Sequence, residues 1–159
     1  MVRKPGLPPL FGAPWEREEA TETLFHGSPN PSLTVASSNP EIRQFDNATS
    51  QFGAFFALDV GEAARYADPV RRVGGTIYSA RFRLTNPYEM PWREFGYYQN
   101  LGSPSSQWAE RLAQLRIEAK ARRTELEAAG HDGIIVRTPK GIVIEVVSFS
   151  DVPITRLGG

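Results

Sequence analysis

The chain has 159 residues, 40% of them hydrophobic, with 18 Lys and Arg balancing 18 Asp and Glu. That length suits one domain with a sizeable core, and the even charge supplies no basic field for gripping nucleic acid. The absence of cysteine removes disulfides, thiol nucleophiles and cysteine-bound zinc, and the two histidines, His26 and His131, lack ligand-like spacing, so no metal site is expected.

Residues 1–22 read as an irregular arm, because four prolines and two glycines interrupt the stretch before Trp15. No continuous apolar core of a signal peptide forms there, and nothing approaches a membrane span. The expectation is a cytoplasmic protein, or a piece delivered into the cytoplasm of a target cell. Glu16 to Thr23 is charged enough for one helical turn leading in.

Residues 23–159 form the predicted domain. Thr23-Leu24-Phe25-His26-Gly27 is a short strand signal closed by the turn chemistry of Ser28-Pro29-Asn30-Pro31. His26 therefore stands at a strand end beside a glycine, either as an ordinary surface histidine or as a group presented where backbone can be approached closely. Residues 31–51 are rich in Ser, Asn, Pro and Thr without a period, and read as a binding loop or lid. Arg43 is its candidate for a phosphate contact, against the plainer reading of a solvated charge.

Gly53-Ala54-Phe55-Phe56-Ala57 reads as a buried strand, and Asp59 with Glu62 as a capping box opening a short helix through Tyr66. Phe55 and Tyr66 are either two walls of one slot or ordinary core packing. Thr76 to Leu84 alternates, with Tyr78, Ala80, Phe82 and Leu84 on its apolar face. Residues 88–104 hold Trp92, Phe95, Tyr97 and Tyr98 among Gly and Pro, and cover a groove or cap the core. A long helix follows, capped by Ser105 or Ser106 and ended by Gly130, with Trp108, Leu112, Leu115, Ala119 and Leu126 on one stripe.

Gly133 to Arg137 and Gly141 to Phe149 are the last two predicted strands, joined at Thr138-Pro139-Lys140. Glu145 is a lone acid within a β-branched run, so it faces solvent or points into a site. Alternation groups it with Val143 and Val147, away from Ile142, Ile144 and Val146, which reads as a pocket wall.

Taken in order, Phe25-His26-Gly27-Ser28, Gly53-Ala54-Phe55-Phe56-Ala57, Tyr66 and Glu145 resemble the ADP-ribosyltransferase superfamily of the His-Tyr-Glu type. Gly130 to Val136 and Glu145 to Phe149 look like the ends of its compact phage and bacterial members, and the resemblance spans roughly residues 23–154. It implies an α+β fold: a split β-sandwich with a central NAD cleft and peripheral helices, the long helix lying outside. It implies NAD as co-substrate without a metal, with His26, Gly27, Ser28, Phe55 and Tyr66 among the NAD contacts, together with Arg43 from the loop. His26 would bond a ribose hydroxyl, the Gly27 backbone the nicotinamide amide, and Phe55 and Tyr66 would sandwich the nicotinamide ring. Glu145 would bond the nicotinamide-ribose 2′-hydroxyl and stabilise the cationic ribose as nicotinamide leaves, with His26 beside it in the catalytic set.

The implied activity is transfer of ADP-ribose to a macromolecule, a protein rather than a nucleic acid, as in a toxin or effector. Two positions differ from the family pattern: Phe55 stands where tyrosine is usual, and Ala63 where a serine often bonds the amide. Val143, two residues before Glu145, also departs from the Glu-x-Glu or Gln-x-Glu signature of arginine-targeting members. The alternatives are an NAD glycohydrolase, a weak NAD- or ADP-ribose-binding module, and a structural domain of a phage or secretion apparatus.

Overall fold

A computed structural model of the protein describes residues 22–39, 48–67, 75–99 and 107–157, leaving out the side chains of Glu22, Arg65, Tyr66 and Ala67. Residues 1–21 of the expected N-terminal arm and the Ser105/Ser106 cap lie outside the described residues. Among the described residues, nine strands and three α-helices run in the order β1 (Glu22–Ser28), β2 (Val35–Ala36), β3 (Ala54–Phe56), α1 (Val60–Ala67), β4 (Thr76–Phe82), β5 (Tyr88–Pro91), α2 (Trp92–Gln99), α3 (Trp108–Ala128), β6 (Gly133–Arg137), β7 (Val143–Ser148), β8 (Val152–Pro153) and β9 (Thr155–Arg156). A 3-10 helix, Ala48–Phe52, precedes β3. The fold is mixed α+β.

Three sheets result: β1-β4-β9, β3-β7-β6-β5, and the small pair β2-β8. The pairings are antiparallel except β5 with β6, which run parallel and are connected through α2 and α3. Pro91 is tolerated in β5 because that strand lies at the sheet edge.

The four-stranded sheet is buried on both sides, and the composition of β6 shows it. Ile134, Ile135 and Val136 are each fully buried, an unbroken apolar run rather than an alternating one. On one side Ile135, Val146, Ala54 and Phe56 pack against Leu24, Tyr78 and Ala80 of the β1-β4-β9 sheet. On the other side Ile134, Val136 and Val147 meet Phe52 of the 3-10 helix, Phe95 and Tyr98 of α2, and Leu112, Leu115, Ala119 and Leu126 of α3. The long helix thus covers the face turned away from the second sheet.

Several sequence expectations change here. Residues 31–51 are not one bare loop, since β2 and the 3-10 helix lie within them and Phe52 is fully buried. The aromatic stretch 88–104 contains a strand and a helix, with Phe95 and Tyr98 facing the core while Trp92 and Tyr97 remain exposed. Trp108 does not join the buried stripe of α3; it is 41% exposed at the first turn. Glu22 already belongs to β1, where the arm was expected to include it.

The ends of the helices follow their sequence signals. Asp59 Oδ1 accepts the Glu62 backbone N–H at 2.8 Å, as the α1 cap requires. Gly130, at φ +93°, ends α3: its N–H donates to Glu127 and the His131 N–H to Leu126, the paired bonds of a Schellman turn.

Gly53 is constrained more tightly. Its φ is +144°, and a Cβ there would stand 2.2 Å from the Ser148 carbonyl oxygen. The strained backbone alone costs about 1–3 kcal/mol for a residue with a side chain. Gly53→Ala is expected to lower the chemical-denaturation midpoint by at least that equivalent, and an unchanged midpoint would show that β3 can shift away from β7.

Candidate functional site

Among the described residues, a backbone bridge joins the two large sheets beside their packed side chains. Phe25 N–H donates to Ala57 O at 2.9 Å and Ala57 N–H to Phe25 O at 2.8 Å. In that antiparallel register Gly27 would next face Phe55, but β1 turns aside with β4 instead. The Phe55 carbonyl is bonded by a side chain: His26 Nδ1 lies 2.8 Å from it. A carbonyl oxygen only accepts, so Nδ1 carries the proton of this bond and the ring is held in one orientation. His26 therefore sits in the fork where the sheets divide, its ring 5.6 Å from Phe56 and 6.4 Å from Tyr78.

Gly27 is buried and Ser28 half-buried at the end of β1. The Ser28 Oγ accepts the Asn30 N–H at 3.1 Å, tightening the turn that leaves the strand. α1 packs on β1 and β4, which brings the helix carrying Tyr66 beside the strand carrying His26. The Tyr66 side chain and the whole of Arg43 lie outside the described residues.

Glu145 enters from the other flank. β3 pairs with β7 as Phe55↔Val147 and Phe56↔Val146, so the ladder carried one step further sets Ala57 beside Glu145. Ala57 thus stands between Phe25, next to His26, and Glu145. On its second side Glu145 pairs with Val136 of β6, whereas Arg137 pairs with Val143. One residue of β6 is answered by two of β7, a β-bulge with Ile144 as the extra residue.

The bulge revises the expected face. Val147 packs on the helix side, while Val143 joins Val146 in the cluster between the sheets. Val143 and Val147 therefore do not flank Glu145 on one wall. Glu145 is half-buried, and its Oε2 is shielded from solvent.

Phe55 is also placed differently from a simple slot wall. Its ring is half-buried against the helix-side cluster, with the Phe95 ring at 6.1 Å. His26 lies on the opposite side of the β3 backbone, by Phe56. His26, Phe55 and Glu145 lie on neighbouring strands, with His26 and the Phe55 ring on opposite sides of β3. Ala63 is buried in α1, without a hydroxyl for an amide.

Compared with known proteins, the chain matches no family model, no curated protein and no solved structure.

Among the described residues no group of three or more His, Asp or Glu side chains is placed to hold a metal ion, and no helix is long and apolar enough to cross a membrane. One residue at the fork escaped sequence reading. Tyr78, directly across from His26 in the β1–β4 register, is fully buried and hydrogen-bonds the chain beyond Ser28. Its only sequence signal is a tyrosine on an apolar strand face, since a buried tyrosine hydroxyl needs a partner.

Proposed function

We propose that the protein cleaves NAD and transfers ADP-ribose to a macromolecule, through an ADP-ribosyltransferase-like split sandwich. The observation that supports this most is the placement of His26 and Glu145 on strands flanking the Ala57 bridge, with the aromatic strand β3 between them. Held through Nδ1 by the Phe55 carbonyl, the His26 ring would be fixed in orientation to meet a sugar hydroxyl. A fixed, half-buried carboxylate acts where the ribose becomes cationic, and such preorganised charge needs no nucleophilic side chain. Gly27 and Ser28 would contact NAD from the end of β1, with Tyr66 and Arg43 as the further contacts. The proposed acceptor is a protein, because equal numbers of acidic and basic residues supply no field for nucleic acid.

A weak NAD-binding module is the second reading, favoured by the packing of Phe55 against Phe95 and by the buried Ala63. NAD is expected to raise the melting temperature. At one hundred times its dissociation constant the gain is about 2.7 kcal/mol, or roughly 5–10 °C for a chain of this size. Nicotinamide release, followed with and without a cell lysate as acceptor source, separates the readings. Release that rises with lysate marks a transferase, release indifferent to it a glycohydrolase, and a thermal shift without release the binding module. No shift at millimolar NAD sinks all three.

A further inference from the structure

We propose that Tyr78 is a positioning residue for NAD, an inference that rests on the function proposed above. Its place in the fold is unusual, because one side chain serves both the imidazole and the segment that follows it. Tyr78 is the register partner of His26, and the two rings lie 6.4 Å apart at 50°, within the range of favourable tilted contacts. With Phe56 at 5.6 Å, it backs the imidazole whose Nδ1 is engaged by the Phe55 carbonyl.

The hydroxyl of the same residue reaches the loop after β1. It donates to the Asn30 carbonyl and accepts the Leu33 N–H at 3.1 Å. Within that loop the Asn30 N–H is bonded by Ser28 Oγ and the Ser32 N–H by Asn30 Oδ1. The last of these local bonds ends at Ser32, and Tyr78 ties the loop to the core on which Leu33 packs, one residue before the Thr34 carbonyl accepts the Ile154 N–H. Residues 28–33 directly continue the His26-Gly27 segment that would hold the ribose and the amide. Without the hydroxyl, the Asn30 carbonyl and Leu33 N–H lose a buried partner, and the loop between β1 and Thr34 is loosened at the fork.

Tyr78→Phe keeps the ring in the core and removes only these two bonds. Amide hydrogen exchange at Leu33 and steady-state nicotinamide release are measured on both proteins. Leu33 is expected to exchange at least about tenfold faster, and KM for NAD to rise about five- to tenfold with kcat within about twofold, as suits two lost neutral hydrogen bonds. Unchanged exchange at Leu33 overturns the anchoring role. Faster exchange with an unaltered KM overturns the link to NAD. Loss of kcat, KM and melting temperature together reduces Tyr78 to a core residue. If the wild-type protein neither binds nor cleaves NAD, the proposed function falls and this inference with it; if it cleaves NAD and Tyr78→Phe does so with the same KM, this inference falls alone.

Discussion

Glu145→Gln is expected to slow nicotinamide release by about 10²–10³, equivalent to about 2.7–4 kcal/mol of transition-state stabilisation. The substitution keeps side-chain size and removes the charge. Under the proposed reaction the ribose gains positive charge only as the glycosidic bond breaks, so ground-state NAD affinity should move far less than turnover. The melting temperature should move far less than turnover, because Gln keeps the size and hydrogen-bonding shape of this half-buried side chain. Turnover, NAD affinity and melting temperature measured on the same two proteins decide the matter. Unaltered turnover removes Glu145 from the chemistry, and a collapsed melting temperature assigns it to the fold.

The second large effect is on stability and lies in α3. Arg123 is 15% exposed and donates to the Ser38 carbonyl at 2.7 Å and the Phe149 carbonyl at 2.8 Å. Its guanidinium also lies over the Phe149 ring, 5.4 Å from the centroid. Ser38 follows β2 and Phe149 follows β7, so one side chain joins the long helix to both segments. Ser38 is further held by Asp151, whose carboxyl these Ser38 hydrogen bonds keep below the usual carboxylate range. The ion pair with Glu127 contributes little, since that partner is half in solvent.

Arg123→Ala leaves two half-buried carbonyls without a charged donor, each such bond being worth about 1.5–3 kcal/mol. A loss of about 3 kcal/mol is expected, which lowers the melting temperature by roughly 6–12 °C. Arg123→Lys should recover less than half, because an ammonium cannot present two donors in the fixed fork of a guanidinium. A fall of under about 2 °C for the alanine variant would show that the two segments hold themselves.

Much of the framework was legible because period and burial agree. Tyr78 and Ala80 are buried where the alternation of β4 places them, as is Leu84 just beyond its end, and Leu112, Leu115, Ala119 and Leu126 line the inner stripe of α3. The Asp59 cap and the Gly130 stop depend on local chemistry alone, which a sequence carries in full. Elements formed by distant pairing were less visible. β8 and β9 have two residues each and exist because β2 and β4 lie beside them. β5 is four residues long and ends in proline, and its parallel partner lies beyond two helices.

The site was legible as a list of strands, not as a geometry. His26, Phe55 and Glu145 each fall on a predicted strand, but alternation cannot anticipate the bulge that moves Val143 to the other face. Nor does it reveal that Phe55 turns toward Phe95, a residue of a helix the aromatic stretch concealed.

The bulge at Ile144 also separates two kinds of freedom. From Val146 to Ser148, β7 is laced to β3 on one side and β6 on the other, so the height of Glu145 is set from its C-terminal flank. The connection from Thr138 to Ile142 lies beyond the extra residue and is held by its own hydrogen bonds and by Arg137 of β6, which donates to the Gly141 carbonyl. Lengthening or trimming that tip is absorbed at the irregular step before it reaches the carboxylate. Descendants of this chain can therefore diversify what the tip meets while the carboxylate keeps its station.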